Sequence, residues 1–476
     1  MKMILPKHVS YIISKLEQAG YEAYAVGGCV RDTLLGRKPQ DWDITTSAKP
    51  IQIKELFKKT IDTGIQHGTV TVMLDHIGYE VTTYRIDGEY EDNRHPKQVE
   101  FTDNLKLDLE RRDFTINAMA YNENRGIVDE FGGIKDLKDG IIRCVGDAGQ
   151  RFDEDALRML RAVRFAGQLG FEIEEKTRKA IVERAAHLEN ISAERIRVEL
   201  TKLLVSKDAG RIRDAYDTGM TKYFLPELDT AIVTEQKNPH HIYTVGEHSI
   251  HCIEIMNCFF GVTSDKKIYD NIPEDVLNTA KRLTADMDKK QQTVLCMAML
   301  LHDIAKPVVM TVDKDGIGHF YGHPQESEKM AKKIMRRLTF DNDSISKTCR
   351  LIKFHDYRME DTNRAFRRAV SKIGADIMNM LFLVEYADVL SQSDKMLDEK
   401  LSKINSGVKR FEYIVENAQP LSVKDLAVTG SDLIAAGVKP GPKMGDILKN
   451  MLDKVLDEPE ANTKENLLGY LKTLDI

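Results

Sequence analysis

Short apolar runs separated by polar turns dominate the first 147 residues. "YEAYAVGG" (21–28), "WDITTS" (42–47), "GTVTVML" (68–74), "YEVTTYR" (79–85) and "KQVEFT" (97–102) are rich in Val, Thr and Tyr and broken by Gly or Asp, which predicts five strands. The opening "MKMILPKHVSYIISKLEQAG" instead spaces its apolar residues between charges, as an amphipathic helix does. Beyond residue 147 the strand signal almost vanishes. Residues 148–230, ending at "FLPEL", and residues 231–410 read as helical, and 411–476 contain "GVKPGPKMGDIL", a Gly/Pro turn opening a helix. The pattern predicts an α+β chain in four segments. Residues 1–147 form a head with a mixed β-sheet flanked by helices, 148–230 an all-α neck, 231–410 a helical third domain and 411–476 a helical tail.

A chain of 476 residues exceeds one ordinary core, and 42% hydrophobic with 30% charged residues describes a folded globular protein. The net charge of −6 argues against non-specific coating of nucleic acid but leaves room for a local basic groove. Residues 151–213 carry fourteen Lys/Arg against eleven Asp/Glu, so the neck is mildly basic. No stretch is read as approaching the ~18–20 apolar residues of a membrane span, and the N-terminus does not resemble a signal peptide. Six scattered cysteines form no C-x-x-C pair, which predicts a reducing cytoplasm. Nothing in the sequence fixes an oligomeric state.

"KPQDWDITT" (38–46) sets Asp41 and Asp43 two apart on an expected strand, so both carboxylates project from one face. Such a pair repels, and a divalent cation removes the conflict; hard oxygen ligands suit Mg²⁺ bridging a nucleoside triphosphate. D-x-D alone is common in surface loops. Here it follows "VGGCVRD", where Gly27 and Gly28 let backbone N–H groups approach a phosphate at a helix start, and Arg31 and Arg37 add charge. Glu80 supplies a third carboxylate if "GYEVTTYR" lies beside "DWDIT". In "EDALRMLRAVRF" the helical period places Asp155, Arg158, Arg161 and Arg164 three apart on one side. Aspartate accepts from an exocyclic amine and arginine donates to ring nitrogen or carbonyl oxygen, a combination that reads the pairing edge of C or A. The bland alternative is a solvated salt-bridge face. "ERRDFTINAMAY" is expected to be a helix opened by Arg111, Arg112 and Asp113, with Arg111 a solvated neighbour, and Asp87 to Lys97 a mobile polar loop.

"GGCVRDTLLGRKPQDWDITT" resembles the nucleotidyltransferase signature of class II tRNA CCA-adding enzymes and bacterial poly(A) polymerases. "RRDFTINAMAY" (111–121), "DEFGGIKDLKDGIIRCVGD" (129–147), "RFDEDALRMLRAVRFAGQLGF" (151–171) and "ISAERIRVELTKLL" (191–204) follow in the family's order. The resemblance implies that Glu154, Asp155 and Arg158 act as an amino-acid template, that Arg112 contacts the triphosphate and Asp113 the ribose, and that Asn117 supports them. It also implies that a loop of the length of 87–97 goes with adding the terminal A. The expected chemistry is attack of a tRNA 3′-hydroxyl on the α-phosphate of CTP or ATP with two metal ions, the neck holding the acceptor stem.

The third segment holds eight of the thirteen histidines. His248 in "TVGEHSIHC", His302 and Asp303 in "HDIAK", His323, His355 and Asp388 resemble in order the HD phosphohydrolase superfamily, whose spaced residues bind divalent metal. Histidine nitrogen with carboxylate oxygen suits Mn, Ni, Fe or Zn better than Mg²⁺, and a transition metal such as Ni²⁺ or Mn²⁺ is expected there. His241 and His251 are assigned to packing or surface. The expectation is a CCA-adding tRNA nucleotidyltransferase whose second site trims phosphates from damaged RNA ends. Poly(A) polymerase, an A-adding enzyme, and an HD phosphohydrolase with a non-catalytic RNA-binding head are the alternatives. "KPGPKMG" (439–445) is either an ordinary turn or an RNA phosphate contact.

Overall fold

The computed structural model describes residues 2–473 except 89, 92–94, 97–98, 239–241, 264 and 361. His241 and part of the 87–97 segment lie outside the described residues. The chain divides into two compact units, Met1–Pro226 and Glu227–Ile476.

The first unit is built on a seven-stranded sheet. Its strands are β1 (Ala23–Val26), β2 (Asp43–Thr46), β3 (Thr60–Gly64), β4 (Thr69–Leu74), β5 (Ile77–Thr83), β6 (Met119–Asn122) and β7 (Gly126–Asp129), in the order β7-β6-β1-β2-β5-β4-β3. Only β2 and β5 run parallel, with Ile44 opposite Val81; the other neighbours are antiparallel, which makes the sheet mixed as expected. Helix α1 (Lys7–Gln18) buries Val9, Ile12, Ile13 and Leu16, the apolar stripe its sequence spaces at helical period. Central β1 is buried along its whole length, and Tyr24, Val26, Tyr84, Leu109 and Ala120 share one core cluster. Helices α2 (Gly28–Leu34) and α3 (Leu105–Glu110) flank the sheet.

Two expectations for this unit are corrected. Residues 111–121 are not a helix: α3 ends at Glu110, a 3₁₀ turn covers Thr115–Asn117, and Met119 begins β6. The apolar residues there pack as a buried strand, and Asp113 accepts from the Asn117 side chain instead of starting a helix. The segment expected as a mobile loop carries antiparallel ladders, Arg85–Asp87 with Val99–Phe101 and Tyr90–Glu91 with His95–Pro96.

Helices α4 (Ala148–Glu154), α5 (Leu157–Leu169) and α6 (Ala193–Leu204) follow the head, and the only strand among the described residues of 148–230 is the two-residue Glu172–Ile173. The second unit is helical around α7 (Val245–Phe259), α8 (Lys289–Leu301), α9 (His323–Arg337), α10 (Asn342–Phe354) and α11 (Met378–Leu390). One stretch corrects the reading that nothing approaches a membrane span: Lys289–Val309 is long and apolar enough, with mean hydropathy 1.2. It is 78% buried inside the fold, so its apolarity is used for packing. Toward the C-terminus Pro442 opens the helix Pro442–Asp457 directly after Gly441, as the Gly/Pro turn predicted.

Candidate functional site

In the first unit, β1 delivers the chain to Gly27 at φ +79°, a left-handed conformation that favours glycine. A Cβ built there would lie 3.1 Å from Arg112 Nη1, so the glycine also lets that guanidinium approach the backbone. Gly27, Gly28 and Arg31 line one side of a cavity of about 440 Å³. Asp43, Arg112, Asp113, Asn117, Asp155, Arg158, Arg161 and Arg164 complete most of the remaining wall, so residues spread over 138 positions of sequence (27 to 164) meet in one place.

Asp43 is the first residue of β2 and pairs with Val26 at the end of β1. Asp41 precedes the strand, which corrects the expectation that both acids sit within it. Glu80 satisfies its condition: the parallel register of Ile44 with Val81 puts it one step before, level with Asp43. The Asp43 carboxyl is held above the usual carboxylate range by desolvation, and Glu80 and Asp41 add to this against the pull of Arg112. Asp43, with the Glu80 and Asp41 carboxylates near enough to act on it, forms a donor set suited to a hard divalent cation.

The basic wall is cross-braced. Asp108 is fully buried on α3; it accepts from Thr45 Oγ1 at 3.0 Å and pairs with Arg111 at 2.8 Å and Arg112 at 3.4 Å. Its carboxyl lies below the usual range because those arginines outweigh its burial. Asp113 accepts from Asn117 Nδ2 at 3.0 Å and pairs with Arg161 Nη2 at 2.6 Å, while Asn117 Oδ1 accepts from Arg31 at 2.6 Å. Arg164 pairs with Glu199 on α6, and its guanidinium stacks 3.8 Å from the centre of the Phe165 ring. The expected single helix through "EDALRMLRAVRF" is broken: α4 ends at Glu154 and α5 begins at Leu157, with Asp155 extended between them (φ −144°, ψ 101°). The break frees the Asp155 carboxylate to accept from Leu157 N and to meet Arg195 at 2.7 Å. Glu154 does not line the cavity; it pairs with Arg151 and Arg158, each at 2.5 Å, and so orients Arg158. Arg111, expected to be merely solvated, lines the cavity and pairs with Asp108.

Asp108, Phe165 and Arg195 were not singled out from the sequence. Arg195 stands inside the quoted "ISAERIRVEL" and Phe165 closes the quoted "EDALRMLRAVRF", which is a signal for both; Asp108 has none beyond its neighbours. Arg112 Nε and Arg195 Nη1 are buried and have no hydrogen-bond partner, leaving both guanidinium groups with donor capacity beside the cavity.

In the second unit, the six expected residues converge from helices α7, α9 and α11 and from the turns that follow α8 and α10. His248 Nε2 lies 2.9 Å from Asp388 Oδ1 and 3.3 Å from His302 Nε2. His302 Nε2 and His323 Nε2 are each 3.3 Å from Asp303, and His323 Nε2 is 3.3 Å from His355 Nε2. Nδ1 of His302, His323 and His355 each faces the backbone carbonyl three residues before it, at 2.8, 2.9 and 2.7 Å, which turns every Nε2 inward. Burial disfavours charge on His302, yet Asp303 and Asp388 outweigh it and push the imidazole up to about 10. Burial and the neighbouring His302 push His355 down to about 3. Asp303 is buried, with Lys306 Nζ 2.6 Å away as an ion pair and the Nε2 atoms of His302 and His323 each at 3.3 Å. A buried carboxylate among inward-facing imidazole nitrogens fits a metal ion. His251 pairs with Glu254 at 3.0 Å away from the cluster, as a surface or packing residue does. All six cysteines are free and buried.

Three family models match the chain: the poly(A) polymerase head domain over residues 23–143, the RNA and SrmB-binding site of polymerase A over 170–232, and tRNA nucleotidyltransferase domain 2 over 320–471. The CCA-adding enzyme of Leuconostoc mesenteroides is 54% identical over 467 residues, covering 97% of this chain and 94% of that protein. That of Limosilactobacillus fermentum is 54% identical over 96% of this chain and 94% of that protein. A third, from Lactiplantibacillus plantarum, is 57% identical over 196 residues, 41% of this chain and 48% of that protein. Among solved structures, the CCA-adding enzyme of Bacillus stearothermophilus in complex with CTP superposes with a TM-score of 0.68 at 28% identity, covering 99% and 98% of the two chains.

Proposed function

The chain belongs to the CCA-adding enzymes, nucleotidyltransferases of the poly(A) polymerase head family, and from that premise we propose that it adds CCA to the 3′ end of tRNA from CTP and ATP. One observation carries this reading. Asp155 and Arg158, which can hydrogen-bond the pairing edge of cytosine or adenine, line the same cavity as Gly27, Gly28 and Asp43. Base recognition and phosphate chemistry therefore share a space large enough for one nucleotide.

Asp41 and Asp43 would hold Mg²⁺, with Glu80 beside them. When bound, that ion supplies Lewis-acid chemistry and neutralises charge on the phosphates. The rest falls to the chain's own groups. Arg112 and Arg31 face the triphosphate, and Gly27 and Gly28 allow it close to the backbone. Asp113, fixed by Asn117 and Arg161, accepts from the ribose. Asp155 accepts the exocyclic amine of C or A while Arg158 donates to the adjacent ring atom; U and G present the wrong partners. Attack by the tRNA 3′-hydroxyl on the α-phosphate then releases pyrophosphate. Incubating tRNA lacking CCA with each nucleotide separately tests the assignment: C must be added before A, and addition must stop after one A. A poly(A) polymerase would continue with ATP alone, and an A-adding enzyme would act only on tRNA ending in CC.

The convergence of His248, His302, Asp303, His323, His355 and Asp388 favours a second activity, a metal-dependent phosphohydrolase acting on RNA 3′ ends. These residues would hold a transition metal such as Ni²⁺ or Mn²⁺ that activates water against a phosphate ester. Opening a 2′,3′-cyclic phosphate with water at its 3′-oxygen–phosphorus bond frees the 3′-hydroxyl that the first site extends, and hydrolysis of the resulting 2′-phosphate clears the neighbouring hydroxyl. Release of nothing from such substrates with Ni²⁺ or Mn²⁺ would overturn this second reading.

A further inference from the structure

Cys252 stands one turn beyond His248 on α7, and its sulfur points into the histidine–carboxylate cluster. Its Sγ lies 3.7 Å from His248 Nε2, and Cys252, His248, His302 and Asp388 each offer an atom within 4.8 Å of all the others. The distances suit ligands that share one ion. With bonds of about 2.0–2.1 Å to nitrogen and about 2.3 Å to sulfur, tetrahedral edges are roughly 3.3–3.4 Å between two nitrogens and roughly 3.5–3.6 Å between nitrogen and sulfur. The corresponding separations are 3.3 Å for His302 to His248 and 3.7 Å for Cys252 to His248. A second observation points to a ligand independently: the buried Asp303 carboxylate beside this set has the Nε2 atoms of His248, His302, His323 and His355 all within 3.8 Å of it.

We propose that Cys252 is a direct metal ligand, making the inner half of this cluster a mixed nitrogen, oxygen and sulfur site formed by His248, Cys252, His302 and Asp388. The inference rests on the reading that the cluster binds a transition metal. A thiolate softens the donor set, so the preferred ions become Zn²⁺, Co²⁺ or Fe²⁺ and no longer Mn²⁺. Asp303, His323 and His355 remain as an all-nitrogen-and-oxygen set on the other side. Binding releases the thiol proton to solvent and forms one sulfur–metal bond, with no change of oxidation state.

The test is cobalt spectroscopy on the full chain, stripped with a chelator and titrated with Co²⁺ under a phosphine reductant. Visible ligand-field bands report binding, and a near-ultraviolet band reports thiolate-to-cobalt charge transfer. The expected result is both sets in the wild type, with Cys252→Ser and Cys252→Ala losing the charge-transfer band and keeping the visible ones. Asp388→Asn should weaken both together, which locates the ion. Visible bands without charge transfer in the wild type, or a charge-transfer band unchanged in both variants, would overturn the thiolate ligand while leaving the metal site standing. No cobalt bands at all would overturn the metal-site reading, and this inference with it.

Discussion

Asp113 Oδ2 lies 2.6 Å from Arg161 Nη2, joining the turn before β6 to helix α5 across 48 positions of sequence. The carboxylate is the hinge of a chain of pairs running from Arg31 through Asn117 to Arg161 and Glu199. Replacing it with alanine strands two polar groups in a buried wall and should cost about 3 kcal/mol, read from the urea unfolding midpoint. Its pKa is depressed by Arg161 and Asn117 against the opposing effect of burial. Its stabilising contribution is therefore complete above the unfolded value of about 3.9 and disappears as the pH falls through the folded value. Asp113→Ala should thus lose more stability at neutral pH than at strongly acid pH.

Asp43→Asn should abolish nucleotide addition, by about 10³-fold or more, the several kcal/mol a lost metal ligand is worth. Its effect on folding should have the opposite sign. A carboxyl held above its ordinary range by burial and by Glu80 and Asp41 destabilises the fold as the pH rises past the unfolded pKa. The amide should therefore leave the melting temperature unchanged or slightly raised at neutral pH. A large fall in melting temperature would contradict this.

Arg195→Ala should relax base choice. Arg195 holds the Asp155 carboxylate at 2.7 Å, and without it that oxygen is no longer aimed. The discrimination of CTP and ATP over UTP should drop by about 10-fold, at the lower end of what a well-placed bidentate contact contributes. Single-nucleotide incorporation on tRNA lacking CCA measures it. A uniform loss of rate for all nucleotides would indicate a purely structural role.

Gly27→Ala should impair nucleotide binding. The residue sits at φ +79°, where an L side chain costs roughly 1–2 kcal/mol, and the added methyl meets Arg112. The Michaelis constants for CTP and ATP should rise together, because the phosphate wall is displaced and the base-reading residues are untouched.

Divalent metal should stabilise the second unit by mass action, by about 2.7 kcal/mol at a hundred times the dissociation constant. Calorimetry with and without Ni²⁺ should show the shift, and His302→Gln, which changes the residue shared by both halves of the cluster, should remove it. An identical shift in that variant would place the metal elsewhere.

The head was legible because its chemistry is local. Gly27–Gly28 and Asp41–Asp43 each occupy a few adjacent residues, and a strand's period of two sends neighbours to predictable faces. Misreadings arose where tertiary packing overrides local pattern. "RRDFTINAMAY" has helical spacing, but the sheet needed β6 beside β1, so the segment became a turn and a strand. "EDALRMLRAVRF" reads as one helix, yet Arg195 and the Leu157 amide hold Asp155 in a break. Arg111 reads as solvated because nothing nearby in sequence shows that Asp108 is buried under it. Cys252 escaped notice because a thiol on an apolar helix face looks like core until the cluster closes around it.

The sequence by itself determined the two candidate residue sets, since hydrophobic periodicity and the order of charged residues decide which elements form and which side chains they carry. The tertiary structure alone decided which of those side chains touch. The parallel pairing of β2 with β5 brought Glu80 level with Asp43, and four imidazoles from separate elements met at one buried carboxylate. Such contacts depend on how whole elements pack, and that packing is set by burial summed over many distant residues that no short stretch records.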